Sequence, residues 1–434
     1  MIRNKSSLLE NRLTLYERLF VAMVSLVPLA LFNIKFGLGW SADRLLLMLL
    51  LVFFPFYYKY RCSSLGVAGY AVALLLFFLM FGSILTADFG ISLKFLPSLV
   101  QSYILFGLTA FVIKNNPRAF KIVKPILYSW VAILVVFSCY MIFFYYILGL
   151  KYVPFPFGGE YSDEEHRMAM MRSQRLFLPF ASAPFLGAVS GFIALWSLTI
   201  FIRTKQWLIL GVGFIMLLIT ILTMSRGPVL SLIVSFSFFM VAGFFLRVIK
   251  RIKPLLVFIL LATAVALIIM FIQEMQVENI GRASLDRLSI DIDEIGQSRH
   301  LDIRLNALGS FVNGSFVQIL FGQGLGSYGV RGIGAYTFSS YLTILVETGV
   351  FEALVFLFVV SYPLFKCWKG MFSAYNSVRF MSLHFFVLAL YISLTHLFYE
   401  LKTLQSLWLQ LAFVFGMSQS GISFKMLLGR RLGV

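Results

Sequence analysis

The sequence predicts an all-α, polytopic integral membrane protein, and three features of its 434 residues point to this fold class. The chain is 60% hydrophobic and only 12% charged, with a mean hydropathy of +0.92, whereas soluble domains carry about 25% charged residues. Apolar stretches of span length follow one another with short polar gaps, and basic residues gather in every second gap. Such stretches cross a bilayer as helices, because a helix satisfies its own backbone groups.

The apolar stretches predict about twelve transmembrane helices in a single membrane domain, residues 1–434. The predicted spans are 19–38, 45–60, 65–85, 93–113, 122–150, 180–202, 207–224, 228–246, 255–272, 341–365, 380–398 and 404–424. Two long polar stretches, 151–178 and 273–340, interrupt the series. Neither these stretches nor the short gaps are long enough to hold a soluble domain.

The distribution of basic residues predicts the topology. Cytoplasmic loops carry an excess of Lys and Arg, and here alternate connections are strongly basic while those of the other parity are nearly bare. The basic connections contain Lys59, Arg61, Lys114, Arg118, Lys121, Lys124, Arg203, Lys205, Arg247, Lys250, Arg251, Lys253, Lys366, Lys369 and Arg379. Both termini are then cytoplasmic and both long loops are on the outer face. The net charge of +18 therefore reflects topology, and we expect no nucleic-acid partner.

The first outer loop, 151–178, ends in arginines at the membrane edge. Arg172 and Arg175 precede Pro179, where apolar residues re-enter the bilayer. An arginine at that depth either extends its charge to the interface or binds an anion at the lipid surface. The acidic cluster earlier in the loop is more simply a solvated segment.

The second outer loop, 273–340, is predicted to be partly helical. Between 298 and 311, the apolar residues Leu301, Leu305, Leu308 and Phe311 recur at spacings of three and four and form one face, which is typical of an amphipathic helix lying on the membrane. His300 and Arg304 share one face of this helix. Gly322-Gln323-Gly324 follows, and its glycines permit a tight turn that can present backbone N–H groups to an oxyanion. The pattern lacks the Gly-Lys-Ser/Thr of a nucleotide-binding loop, so we expect no nucleotide.

The order of these features resembles the O-antigen polymerase (Wzy-type) and O-antigen ligase superfamily of membrane glycosyltransferases. The matching pieces are Arg175 before Pro179 and Pro184, Ser225-Arg226-Gly227-Pro228, Arg304-Leu305-Asn306-Ala307-Leu308 before Gly322-Gln323-Gly324-Leu325-Gly326, and the segment 339–350. The resemblance covers about residues 151–364. It departs in one place: ligases carry His-Asn where this chain has Phe338-Ser339, which favours a polymerase.

The resemblance implies transfer of a growing glycan from an undecaprenyl-diphosphate carrier to a carrier-linked repeat unit, on the outer face of the bacterial inner membrane. The implied partners are this lipid-linked oligosaccharide, membrane lipids, a chain-length regulator (a polysaccharide co-polymerase) and a flippase. One alternative is a ligase that moves the finished glycan to a lipid A core. A second, from another class, is a flippase or other transporter, which we expect to carry polar residues near mid-bilayer; here they concentrate in the outer loops.

Such a reaction develops negative charge on a diphosphate, and guanidinium binds phosphate in a bidentate manner. We expect Arg175 and Arg304 to form the clamp, without a metal or cofactor. Glu347 lies about two turns into an apolar span and is either the general base or part of a buried structural ion pair.

The predicted diphosphate- and glycan-binding set is completed by Arg172, Arg226, His300, Tyr341 and Glu400. His300 and Glu400 are also candidates for the base, with a structural role as the alternative, and Arg226 either contacts phosphate or anchors its span.

Overall fold

A computed structural model describes most of the predicted membrane domain. The described residues are 13–32, 35–36, 40–61, 66–85, 89–116, 119–148, 176–180, 182–248, 299–325, 339–398 and 405–419. Within them the chain is almost entirely helical. The exception is one antiparallel pair of two-residue strands, β1 (Lys35–Phe36) and β2 (Trp40–Ser41). The all-α class is thereby confirmed for this part of the chain.

The helices are numbered in chain order. They are α1 (Leu15–Leu26), α2 (Ala42–Arg61), α3 (Gly66–Leu85), α4 (Phe89–Asn115), α5 (Ala119–Ile142), α6 (Ala183–Thr204), α7 (Trp207–Leu222), α8 (Arg226–Phe245), α9 (Arg299–Val312), α10 (Phe316–Phe321), α11 (Ser340–Met371), α12 (Asn376–Phe398) and α13 (Gln405–Gln419). A 3₁₀ segment, Val27–Phe32, follows α1, and a π-helical turn, Phe143–Ile147, follows α5.

Seven of the twelve predicted spans are helices long and apolar enough to cross a membrane. They are Gly66–Leu85, Leu96–Asn115, Ala119–Tyr145, Ala183–Thr204, Arg226–Phe245, Ser340–Met371 and Asn376–Phe398. Shorter apolar stretches are Leu47–Lys59, which is the part of α2 whose side chains are described, and α7. The described residues thus support a polytopic membrane protein, and they do not establish a count of twelve.

The first predicted span differs from expectation, and the last is described only in part. In place of a helix over 19–38, α1 ends at Leu26 and gives way to the 3₁₀ segment, where Pro28 cannot donate a helical hydrogen bond. Of the predicted span 404–424, residues 405–419 are helical in α13, and the remainder lies outside the described residues. The predicted span 255–272 lies outside the described residues.

The helix ends of the bundle fall into two groups. The basic end includes the connections that contain Lys59, Lys114 and Arg379, and the outer end includes those next to Gly82, Ser225 and Phe321. At the basic end Tyr57 donates a hydrogen bond to Glu17 at 3.3 Å, and Asn116 also donates to Glu17. Arg379 donates to the carbonyl of Leu246 at 3.0 Å. All of these positions flank connections that the sequence predicts to be cytoplasmic.

At the outer end the connections of the other parity meet. The backbone of Gly82 packs against the carbonyl of Phe321, with 2.5 Å between that oxygen and the position a Cβ would take. Leu176 donates its N–H to Leu222 at 3.3 Å. The grouping of helix ends therefore agrees with the parity deduced from charge.

The inner layer of the bundle depends on small residues in α6. Most of α6 is buried, and a Cβ on Gly191 would lie 2.2 Å from the hydroxyl oxygen of Tyr391 on α12. That hydroxyl donates to the carbonyls of Gly187 and Ala188, both at 3.1 Å. Small residues at helix interfaces permit this close approach in membrane proteins. The polar groups described next lie on or against α11, which is the longest of the described helices.

Candidate functional site

Helix α11 is broken at its outer third. Gly349 has φ 83° and ψ 178°, a non-helical conformation between two helical halves. Such a break interrupts the ladder of helical hydrogen bonds and leaves carbonyls that need other donors. The N–H of Gln323 donates to Val346 at 2.9 Å, and the N–H of Gly324 donates to Glu347 at 3.0 Å. The glycine-rich turn therefore caps the break.

Only glycine fits at the two contact points of this cap. Gly322 has φ 86°, and a Cβ there would lie 2.1 Å from the carbonyl oxygen of Glu347. A Cβ on Gly349 would lie 2.3 Å from the carbonyl oxygen of Leu320. The tight turn was correctly predicted. The suggestion that its amides serve an oxyanion is wrong for Gln323 and Gly324, because both N–H groups are used by α11.

Helix α9 confirms the amphipathic helix predicted over 298–311, and it packs beside the break. Ile303 and Ala307 form a buried cluster with Val346 of α11, and Phe311 packs against it. The exposed face carries Leu305, at 56% exposure, which is compatible with contact to lipid. The predicted face was therefore only partly right, because Ile303 and Ala307 make the protein contact.

Gln323 joins α9 to the turn through its side chain. Its amide nitrogen donates to the carbonyl of Ser310 at 2.9 Å and to the Ser310 hydroxyl at 3.1 Å. The Ser310 hydroxyl lies 3.3 Å from the amide oxygen of Gln323. The turn, α9 and the broken helix thus form one packed unit at the outer end.

Arg304 and Glu347 lie on the two helices of this packed unit. Arg304 follows Ile303 on α9 and is half-buried, and Glu347 follows Val346 on α11 and is 4% exposed. Burial lowers the pKa of the Arg304 guanidinium, but the ordinary value is so high that the group stays charged. The structure therefore places a cation and a buried carboxylate on two helices that pack through neighbouring residues.

Polar side chains continue from the start of α11 into the bundle. The ring nitrogen Nδ1 of His396 on α12 lies 2.9 Å from the hydroxyl of Ser340, and both residues are buried. Tyr341, predicted to bind glycan, is partly buried and donates its hydroxyl to the carbonyl of Ser393 at 3.3 Å. In this structure the Tyr341 hydroxyl ties α11 to α12.

A second carboxylate lies deeper in the same helix. Glu352 is fully buried and accepts a hydrogen bond from the Tyr103 hydroxyl of α4. The Tyr103 ring meets Trp408 edge-on at 4.9 Å. The expectation that polar residues concentrate in the outer loops is thus corrected, because Glu352 and His396 are buried between spans. The available signal was a second Glu five residues after Glu347 in one apolar run, since ionisable residues in spans are functional candidates by default.

The other predicted site residues are only partly accounted for. Arg226 is exposed at the first position of α8, next to its buried N-cap Ser225. His300 lies in α9, one turn before Arg304, but its side chain is not described. Arg172, Arg175 and Glu400 lie outside the described residues, so the proximity of Arg175 to Arg304 stays a prediction. In the described part of the chain, no three His, Cys, Asp or Glu side chains are placed to hold a metal ion.

No family model matches the chain, and no curated protein matches it.

Proposed function

We propose that the chain is a lipid-linked oligosaccharide polymerase, which transfers a growing glycan from undecaprenyl diphosphate to a carrier-linked repeat unit on the outer face of the inner membrane. The observation that supports it best is the packing of α9 beside the break in α11. Arg304 on α9 and the buried Glu347 on α11 each directly follow a residue, Ile303 and Val346, of the apolar cluster that joins the two helices. The resemblance of segments 151–364 to membrane polymerases supports the same reaction class.

The chemistry required of the site is glycosyl transfer. An acceptor hydroxyl attacks the anomeric carbon of the donor glycan, the bond from that carbon to the diphosphate oxygen breaks, and the carrier diphosphate leaves with the bonding electrons. Guanidinium groups that bind this oxygen more tightly as its charge develops lower the barrier. In the proposal these groups are Arg304 and Arg175, each contributing about 1.5 to 3 kcal/mol per hydrogen bond to the charged group.

Glu347 is the proposed general base, which accepts the proton of the acceptor hydroxyl. A charged side chain within a span costs about 2.5 to 3.5 kcal/mol unless it faces a partner or a cavity. Backbone that is not helical at membrane depth is tolerated where it is buried in protein or lines a cavity. The break at Gly349, two residues beyond Glu347, meets that condition through its contact with the turn.

Reconstitution tests the proposal directly. Purified protein in liposomes is given a carrier-linked repeat unit, and the chain length of the lipid-linked product is measured on gels. We expect a ladder from the native chain and at least a tenfold loss of rate in Arg304→Lys, because lysine keeps the charge but loses the planar fork. Glu347→Gln should abolish elongation while leaving substrate binding in place. Lys121→Gln, an exposed basic residue on α5, is the matched control and should behave as the native chain.

Product analysis separates the polymerase from the ligase. A preparation that lengthens no carrier-linked glycan, but attaches glycan to a lipid A core, would show that the polymerase assignment is wrong. Native activity in Arg304→Lys would show that the Arg304 guanidinium is not needed to bind the diphosphate, even if the native chain forms the ladder.

A transporter is the second candidate, and one observation favours it. Transporters bind substrates near mid-bilayer at broken helices and ionisable groups, and α11 combines a break with the buried pair of Glu352 and Tyr103. The same liposomes discriminate the two functions. Movement of a labelled lipid-linked oligosaccharide across the bilayer without any change in its mass would support the transporter and exclude the polymerase.

A further inference from the structure

The basic end of the bundle contains a cavity that is separate from the groups at the outer end. It has a volume of about 420 Å³ and lies between the end of α8 and the connection from α11 to α12. Its lining consists of Phe245, Leu246, Arg247, Met371, Phe372, Ser373, Ala374 and Arg379. Two guanidinium groups and a hydroxyl thus share one hollow with apolar side chains.

The cavity wall holds Arg379 in place. Its two terminal nitrogens donate to the carbonyls of Leu246, at 3.0 Å, and Ala374, at 3.3 Å. Its Nε is buried and finds no hydrogen-bond partner among the described residues. Arg247 ends the turn after α8 in a left-handed conformation, with φ 54°, and its side chain is exposed. One cation is therefore fixed and the other is accessible at the rim.

The surrounding sequence offers these arginines no local countercharge. The chain contains no Asp or Glu from residue 166 to residue 273, nor from residue 353 to residue 399. Nearby cations instead lie over aromatic rings: Arg203 is 5.8 Å from the centre of the Phe380 ring, and Lys369 is 4.4 Å from that of Phe365. This concentration of positive charge favours an anion from outside the protein.

The apolar rim indicates what kind of anion fits. Phe245 and Phe372, at 77% and 64% exposure, project from the cavity edges at the ends of membrane-spanning helices. A free phosphate ion would gain nothing from these rings, whereas a phospholipid places its phosphate in the polar hollow and its acyl chains beside them. Basic pockets between spans on the cytoplasmic side bind anionic headgroups in this way.

We propose that this cavity, formed by α8 and the α11–α12 connection, binds the phosphate headgroup of an anionic phospholipid from the surrounding bilayer, with Arg247 and Arg379 as its ligands. The site is separate from the outer end. It does not depend on the polymerase proposal, because it needs only a bilayer around the bundle.

Lipid binding to the full chain in nanodiscs tests the site. Phosphatidylglycerol is titrated into phosphatidylcholine discs, and retained lipid is measured by native mass spectrometry. We expect the Arg247→Gln/Arg379→Gln double variant to bind phosphatidylglycerol at least tenfold more weakly than the native chain, since charge-assisted bonds are lost. A Lys121→Gln/Lys124→Gln variant, which removes the same two positive charges from exposed side chains at the same end, should bind as the native chain does.

Three outcomes would overturn the proposal: equal retention of phosphatidylglycerol by the double variant, equal retention of phosphatidylcholine by the native chain, and displacement of the lipid by millimolar inorganic phosphate. Arg247→Gln alone is the control for misfolding of the double variant. This side chain is exposed, and its replacement leaves the two hydrogen bonds from Arg379 to backbone carbonyls in place. It should still weaken phosphatidylglycerol binding severalfold, and native binding in this variant would also count against the site.

Discussion

Replacing Gly349 by alanine tests whether the break in α11 is built as described. Alanine strongly disfavours φ 83° with ψ 178°, and such conformations cost about 1 to 3 kcal/mol. The new Cβ would also lie 2.3 Å from the carbonyl oxygen of Leu320 and 2.6 Å from the nitrogen of Gly322. Both neighbours are backbone atoms, so the turn must shift, and overpacking of this kind adds about 1 to 3 kcal/mol.

The expected destabilisation of Gly349→Ala is therefore about 2 to 6 kcal/mol, concentrated at the outer end. Thermal unfolding of the purified protein in detergent measures it, and limited proteolysis reports whether the turn has detached from α11. Gly309→Ala is the matched control, because Gly309 lies within α9 and a Cβ there meets nothing within 4 Å. That control should be neutral or stabilising by up to about 1 kcal/mol, as expected for Gly to Ala in a helix.

A Gly349→Ala variant that unfolds at the native temperature and resists protease as the native chain does would refute this reasoning. It would mean that α11 can run straight through residue 349. The carbonyls of Val346 and Glu347 would then need no donors from the turn, and the position of α9 would lose its explanation.

Three further substitutions test the contacts around the site by the same unfolding assay. Gln323→Ala removes the bonds to Ser310 and should cost about 1 to 3 kcal/mol, whereas exposed Asn313→Ala should be silent; equal effects would contradict the bridging role. Glu352→Ala leaves the buried Tyr103 hydroxyl without its acceptor and should cost about 1 to 3 kcal/mol, while Glu352→Gln should retain most of the stability; a harmless Glu352→Ala would argue against the pair. Gly191→Ala should destabilise by about 1 to 3 kcal/mol and be partly rescued by Tyr391→Phe, and no rescue would place the clash elsewhere.

Patterns within one helix were readable from the sequence, whereas contacts between helices were not. The apolar spacing over 298–311 predicted α9 to within about a residue at either end, because the period of a helix is visible in residues three and four positions apart. The same pattern did not say which apolar residues meet protein. Ile303 and Ala307 pack against Val346, a contact whose partners lie about forty residues apart in the chain.

The glycines show which part of the site the sequence could not predict. Gly322 and Gly324 indicated a turn, but the destination of the turn's N–H groups depends on carbonyls freed by Gly349. Within an apolar run, Gly349 is simply a tolerated glycine in a helix, and nothing local marks it as a break. The proposed pairing of Arg175 with Arg304 could not be derived from local sequence either. The two residues are 129 positions apart, and only the packing of the outer loops decides whether they meet.

The proposed reaction requires that Arg304, together with Arg175, binds the diphosphate of the carrier next to Glu347. A structure of the protein with undecaprenyl diphosphate bound in a lipid nanodisc would show whether these contacts form. We predict phosphate oxygens about 2.7 to 2.9 Å from guanidinium nitrogens of both arginines, at the outer end beside α9. A diphosphate bound elsewhere, with the guanidinium of Arg304 out of contact with it, would show that the two arginines do not form the diphosphate site.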